Sequence, residues 1–270
     1  MIEILRESAL LIAFWGIVSS AEWIVNRPLF DVAGILPASI VRLGRSYRHS
    51  MVPLLDGRPL DFLLVIRLIT SIFLLVASFV SGPLLISLAL CFLTITTWLL
   101  TARTMYGGDG SDQMGIIVSI ATTVMALGCA IRSRDFFFAG VLLAGGQLTL
   151  SYLIAGFSKW ISPVWRSGRA MPGVMTTFTY GHGFAAQFAT DRTRAAKILC
   201  WTVFVGETIF PFALLLPWGP LVFVLAIFMF FHLSNAYFMG LNTFVWSFAA
   251  AYPAVLALAS SARTFFHLAV

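Results

Sequence analysis

The sequence predicts an all-α fold: a polytopic integral membrane protein of about eight transmembrane helices in one bundle. Three observations carry this. Hydrophobic residues make up 60% of the 270 and charged ones 10%, where soluble domains carry about 25% charged residues. Apolar runs of membrane-spanning length recur along the whole chain, split by turn signals. None of them has the ~10-residue alternation of barrel strands, and in lipid the remaining way to pair every backbone polar group is the helix.

The first span covers about residues 4–25. Its Leu10–Val18 core followed by Ser19-Ser20-Ala21 resembles a signal peptide. The leading segment, however, carries Glu3, Arg6 and Glu7 rather than a basic cluster, so a retained helix is expected. A basic loop over 27–60 holds Arg27, Arg42, Arg45, Arg48 and Arg58. The second and third spans, 61–80 and 83–102, are separated by the tight turn Ser81-Gly82-Pro83. A Gly-rich loop ending Gly110-Ser111-Asp112 leads into the fourth span, 113–131, for which Ser111 or Asp112 is a good N-cap. Arg132–Asp135 is a short connection to the fifth, 136–160. A polar segment at 161–196, rich in glycine and proline, is expected to lie between spans and to be re-entrant. The sixth span, 198–216, ends at Pro217-Trp218-Gly219-Pro220, and the seventh and eighth follow at 221–240 and 243–261. Trp98, Trp160, Trp165 and Trp218 fall near span ends, where aromatic belts form. The spans leave no length for a separate soluble domain, so 1–270 reads as a single transmembrane domain.

The net charge of +6 comes from arginines scattered between the spans. That pattern suits anionic headgroups and argues against nucleic acid as a partner. Cys91, Cys129 and Cys200 lie in or beside apolar spans, an odd count with no zinc spacing, so neither a disulfide framework nor a metal site is expected. Gly107, Gly108 and Gly110 are no P-loop, because no Gly-Lys-Ser/Thr follows.

Function turns on the polar residues inside the spans. Lys159, one of only two lysines, closes the fifth span. An ammonium there snorkels, pairs or works, and a lysine kept partly dry can act as a base at neutral pH. Ala155 and Gly156 lie on its face of the helix, with Tyr152 further along. Small residues there leave space for a flat ligand or allow close helix packing. Arg67 and Glu207 each sit inside a span and are expected to form a structural ion pair; Glu22 is the other acid within reach of that argument. His232 and Asn235 share one face near the middle of the seventh span, where polar groups point to the interior or a cavity. His182, between Gly181 and Gly183, is placed to reach a pocket mouth.

The run Tyr152-x-x-Ala155-Gly156-x-x-Lys159, followed by Trp165-x-x-Gly168, resembles the core motif of the horizontally transferred transmembrane (HTTM) family. That family includes the vitamin K-dependent γ-glutamyl carboxylase. Phe231-His232-Leu233-x-Asn235, Phe244, Tyr252-Pro253, Glu207, Pro211 and the stretch ending Gly110-Ser111-Asp112 add to the likeness, which covers most of the chain. The resemblance implies Lys159 as a base acting on a quinol such as vitamin K hydroquinone or menaquinol. It also implies His232 as a second catalytic group, and Tyr152, Gly156, Trp165, Arg166, Asn235, His182 and Asp112 as substrate- or cofactor-binding. Oxygen would convert the quinol into a stronger base that takes the γ-proton of a peptide glutamate. Asp109 and Asp112 stand where the carboxylase has a histidine, and the large domain that follows the membrane part of the animal enzyme is missing. Both departures favour the bacterial SdpB-type relatives, which help to mature secreted peptide toxins.

The expected function is therefore quinone- or lipid-cofactor-linked modification or maturation of a small secreted peptide, in a bacterial inner membrane. A non-catalytic membrane chaperone or assembly partner for such a peptide is the alternative. A transporter is disfavoured because no pair of broken helices occupies matching halves. The positive-inside rule makes the basic-loop side cytoplasmic, whereas the family resemblance places that side outside, and the latter orientation is expected.

Overall fold

The computed structural model describes residues 1–43, 55–104 and 109–266. Arg45, Arg48, Gly107 and Gly108 of the expected loops lie outside the described residues. Among the described residues thirteen α-helices follow in order: α1 Ile2–Val25, α2 Ala38–Leu43, α3 Arg58–Val80, α4 Pro83–Arg103, α5 Gly110–Ala130, α6 Arg134–Ile161, α7 Pro163–Arg166, α8 Ala170–Met175, α9 Gly183–Asp191, α10 Thr193–Ile209, α11 Trp218–Met239, α12 Asn242–Ala249 and α13 Tyr252–Phe265. There is no strand among the described residues. Eight described helical stretches are long and apolar enough to cross a membrane: α1, α3, α4, α5, α6, α10 with its 3-10 extension to Leu215, α11, and α12 with α13. This is an all-α polytopic membrane protein.

The faces of α3 show which solvent surrounds it. Phe62, Val65, Ile69, Ile72, Val76 and Phe79 are exposed, while Arg67, Ser71 and Ser78 are buried beside Leu60, Leu64 and Leu74. A helix in water turns its apolar stripe inward. Here the large apolar side chains face out and the polar stripe faces in, as lipid requires.

The chain divides into two compact units, Met1–Ala144 with Trp246–Pro253, and Gly145–Val245 with Ala254–Val270. In the first, α1 packs on α3, α3 on α4, α4 on α5 and α5 back on α1, closing a four-helix ring. Trp15, fully buried on α1, lies where a side chain at Gly115 of α5 would stand, so glycine sets that approach. Arg103 at the end of α4 binds the Phe30 and Leu36 carbonyls and fixes the α1–α2 connection. Burial lowers its pKa against the pull of Asp56. Arg27 is held by Asp31 and Asp61. Burial opposes its charge, but the two carboxylates outweigh it and raise its pKa.

In the second unit, α10 collects the short helices α7, α8 and α9 of the 161–196 segment around it. Its last turn tightens into 3-10 geometry at Phe210–Leu215, where Pro211 cannot donate an α-helical bond. α11 ends at Gly240, whose φ of +71° makes the left-handed cap that glycine adopts without strain.

Candidate functional site

Lys159 lies in the last turn of α6. Its Nζ donates to Glu207 Oε2 at 2.7 Å and to the Ala155 carbonyl at 3.4 Å, and stands 5.2 Å from the centre of the Trp165 ring. The lysine side chain keeps 19% of its exposure and the glutamate 6%. The amine thus has two acceptors, on a side chain that is only partly buried.

Glycine and aromatic packing make that contact possible. Gly156 is buried, and a Cβ there would meet Thr208 Oγ1, come within 2.6 Å of the Thr208 nitrogen and within 3.0 Å of the Phe204 carbonyl. α6 and α10 therefore touch backbone to backbone one turn before Lys159, and Glu207 comes into reach of the amine. Trp160 adds edge contacts to Trp201 and Phe204, with ring centres 5.6 and 4.8 Å apart. Trp201 Nε1 donates to the Arg166 carbonyl at 3.0 Å and ties α7 to α10. Gly168 turns the chain at φ +84°, with Lys197 Cα only 2.6 Å from where its Cβ would be. Glycine alone suits that position.

The sequence-based ion pair needs correction. Glu207 pairs with Lys159, and Arg67 makes all its hydrogen bonds within the first unit, to Ser19, Ser20, Thr97 and the Gly16 carbonyl. The cause is register: Glu207 faces the glycine-spaced contact with α6, while Arg67 lies on the inward stripe of α3. Asp112 also belongs to the first unit, and it is not the helix cap. Asp109 caps α5, accepting from the Ser111 and Asp112 nitrogens.

Tyr152 and His232 form a separate cluster. Tyr152 Oη and His232 Nε2 are 2.8 Å apart, and both residues are buried. Phe210 and Phe228 pack on the tyrosine ring at 4.6 and 4.5 Å. Tyr152 precedes Lys159 by two helical turns, about 10 Å of rise, so His232 meets the tyrosine rather than the lysine. Asn235 accepts from the Leu241 nitrogen through its carbonyl at 3.4 Å and so helps to end α11. His182 starts α9 and places its ring against Tyr237 and Phe238. Arg166 is exposed.

No protein-family model, curated protein or solved structure matches the chain. What the site can do is therefore read from its own geometry. A flat ring beside Gly156 does not fit, because Thr208 and Phe204 fill that space. Gly156 serves helix packing. Thr208, Phe204 and Trp201 shape the site without any sequence signal of their own: a threonine and two aromatic residues on an apolar helix look like ordinary span residues.

Proposed function

We propose that the protein is a membrane enzyme that exchanges a proton at the Lys159–Glu207 pair during the modification or maturation of a peptide. The 2.7 Å contact between the two groups carries this reading. Moving the ammonium proton across it to Glu207 Oε2 leaves a neutral amine beside a carboxylic acid. The amine lone pair can then take a proton from a substrate O–H or acidic C–H, restoring the ammonium and leaving the substrate anion. The pair has gained one proton, which Glu207 returns to solvent at the end of the cycle. The face of Trp165 favours the ammonium state through its ring quadrupole, and partial burial strengthens each of these interactions relative to water.

The motif shared with the HTTM family supports the same residue as base, and the SdpB-type likeness supports a secreted peptide as substrate and a bacterial inner membrane as location. A quinol or other lipid-phase hydroxyl compound remains the cofactor class that the motif suggests.

A second reading has its own support. With Glu207, the Ala155 carbonyl and Trp165 around it, Lys159 has the partners of a structural pin. On that reading the protein is a non-catalytic membrane partner of a peptide. Lys159→Arg separates the two, because arginine keeps the charge and stays protonated. Peptides and lipids that purify with the wild type and the variant are to be compared by mass spectrometry. A mass change on the peptide in the wild type alone supports the enzyme. Identical peptides from both support the partner and remove the base mechanism.

A further inference from the structure

The first unit holds an ionic site that the Lys159 reading does not use. Arg67 is fully buried, in the third turn of α3. Four of its five N–H bonds have partners, all neutral: Thr97 at 3.3 Å, Ser20 at 2.7 Å, the Gly16 carbonyl at 3.4 Å and Ser19 at 3.2 Å. Its guanidinium carbon stands 5.2 Å from the centre of the Trp15 ring. No carboxylate among the described residues lies within ion-pair distance of it. A buried charge so placed is costly unless something else answers it.

Beside the guanidinium is a small cavity of about 20 Å³, bounded by Ser19, Trp23, Arg67, Thr97, Thr101 and Asp112 among others. One water needs at least about 10–15 Å³ and two to four polar partners. The threonine hydroxyls of α4, and that of Thr104 just after it, already donate to backbone: Thr97 to Leu93, Thr101 to Trp98 and Thr104 to Thr101. What they turn to the cavity are acceptor lone pairs, and Asp112 adds a carboxylate. The wall thus offers few donors, the guanidinium and the Ser19 hydroxyl, against several acceptors that include a carboxylate. A small anion meets too many acceptors, whereas a water accepts from Arg67 and donates to Asp112.

We propose that Arg67 and Asp112 form a water-bridged ion pair, and that this pair binds and releases one proton at the Asp112 carboxylate. Uptake forms a single O–H bond on Asp112, with the proton drawn from bulk water through the cavity; nothing is oxidised or reduced. Among the described residues, the charged groups that act on Asp112 are Arg67 on α3, Glu22 on α1 and Asp109 at the start of α5. α4 contributes only hydroxyls there, since Arg103 turns its guanidinium to the Phe30 and Leu36 carbonyls. Asp112 thus stands among one cation and two acids and shares the wall of the cavity with the cation.

The test is infrared difference spectroscopy on the full chain in lipid nanodiscs, between about pH 8 and about pH 5, where carboxyls in the ordinary range stay largely ionised. A protonated-carboxyl component is expected on acidification that is lost in Asp112→Asn and kept in Asp109→Asn, Glu22→Gln and Lys159→Ala. A water O–H band that shifts in oxygen-18 water is expected in the wild type and lost in Asp112→Asn. Removing the positive charge with Arg67→Gln should make protonation easier on the order of tenfold. If Asp112→Asn removes no component of the carboxyl band, or leaves the water band in place, the proposal is overturned, whether or not the Arg67 variant folds.

Discussion

Glu207 and Lys159 are joined across 2.7 Å between α10 and α6, at the point where Gly156 lets the two helix backbones touch. The contact brings an acid and an amine, 48 residues apart in the chain, to one spot near the end of a membrane span. Chemistry at the amine and packing at the glycine are therefore linked, and changes at either should be felt at the other.

The pair can be tested for coupling. Losing one partner of a buried pair leaves the other charge unanswered, at about 3–5 kcal/mol in well-buried cases. The remaining exposure of Lys159 brings the expectation down to about 2 kcal/mol. Lys159→Met and Glu207→Gln should each destabilise by that order, and the double variant by clearly less than their sum. Unfolding in mixed micelles measures all three. Strict additivity would show that the two side chains do not act together.

Gly156→Ala should disturb the same contact without touching a charge. The added methyl meets backbone as well as the Thr208 hydroxyl, so a rotamer change cannot make room for it. Overpacking of this kind costs about 1–3 kcal/mol. Thr208→Ala in the same chain should rescue little of it, because the Thr208 nitrogen remains in the way. Full rescue would show that the hydroxyl alone limits the approach of the helices.

The spans were readable because lipid imposes a minimum apolar length, and Pro217 and Pro220, or Gly82 and Pro83, break the runs where helices end. The choice of ionic partners was not readable. Arg67, Glu207 and Lys159 are all charges inside spans, and which of them meet depends on the rotation and register of α3, α6 and α10. That register is set by local close approaches such as Gly156 on Thr208, which a single sequence does not reveal. Arg67 also misleads, because a charge in a span suggests a carboxylate partner while here serines and a threonine surround it. The start of α5 shows the same limit at short range. Asp109, Ser111 and Asp112 are all good capping residues, and only backbone geometry selects Asp109.

Lysine labelling gives a direct view of the amine. The chain has two lysines; Lys197 is exposed, and Lys159 is held by Glu207. An amine-selective reagent should modify Lys197 well before Lys159, as followed by mass spectrometry of the intact and digested chain. Glu207→Gln removes the carboxylate that holds the ammonium and should speed labelling at Lys159 while leaving Lys197 unchanged. Equal rates at both lysines in the wild type would place the Lys159 amine in open water and remove the basis for its chemistry.

Gly168 offers a change outside the ion pair that should still reach it. Its φ of +84° is strained for any residue with a Cβ, and that Cβ would also press on Lys197 of α10. Left-handed backbone costs roughly 1–2 kcal/mol for an ordinary residue, so Gly168→Ala should destabilise by at least that much. The strain falls beside α7, which carries Trp165 over the amine and is tied to α10 by the Trp201–Arg166 hydrogen bond. If α7 moves, Trp165 leaves the amine and Lys159 labelling should rise, with Lys197 serving as the internal reference. Loss of stability without any change at Lys159 would mean that α7 holds its place through other contacts, and that Trp165 is a bystander to the site.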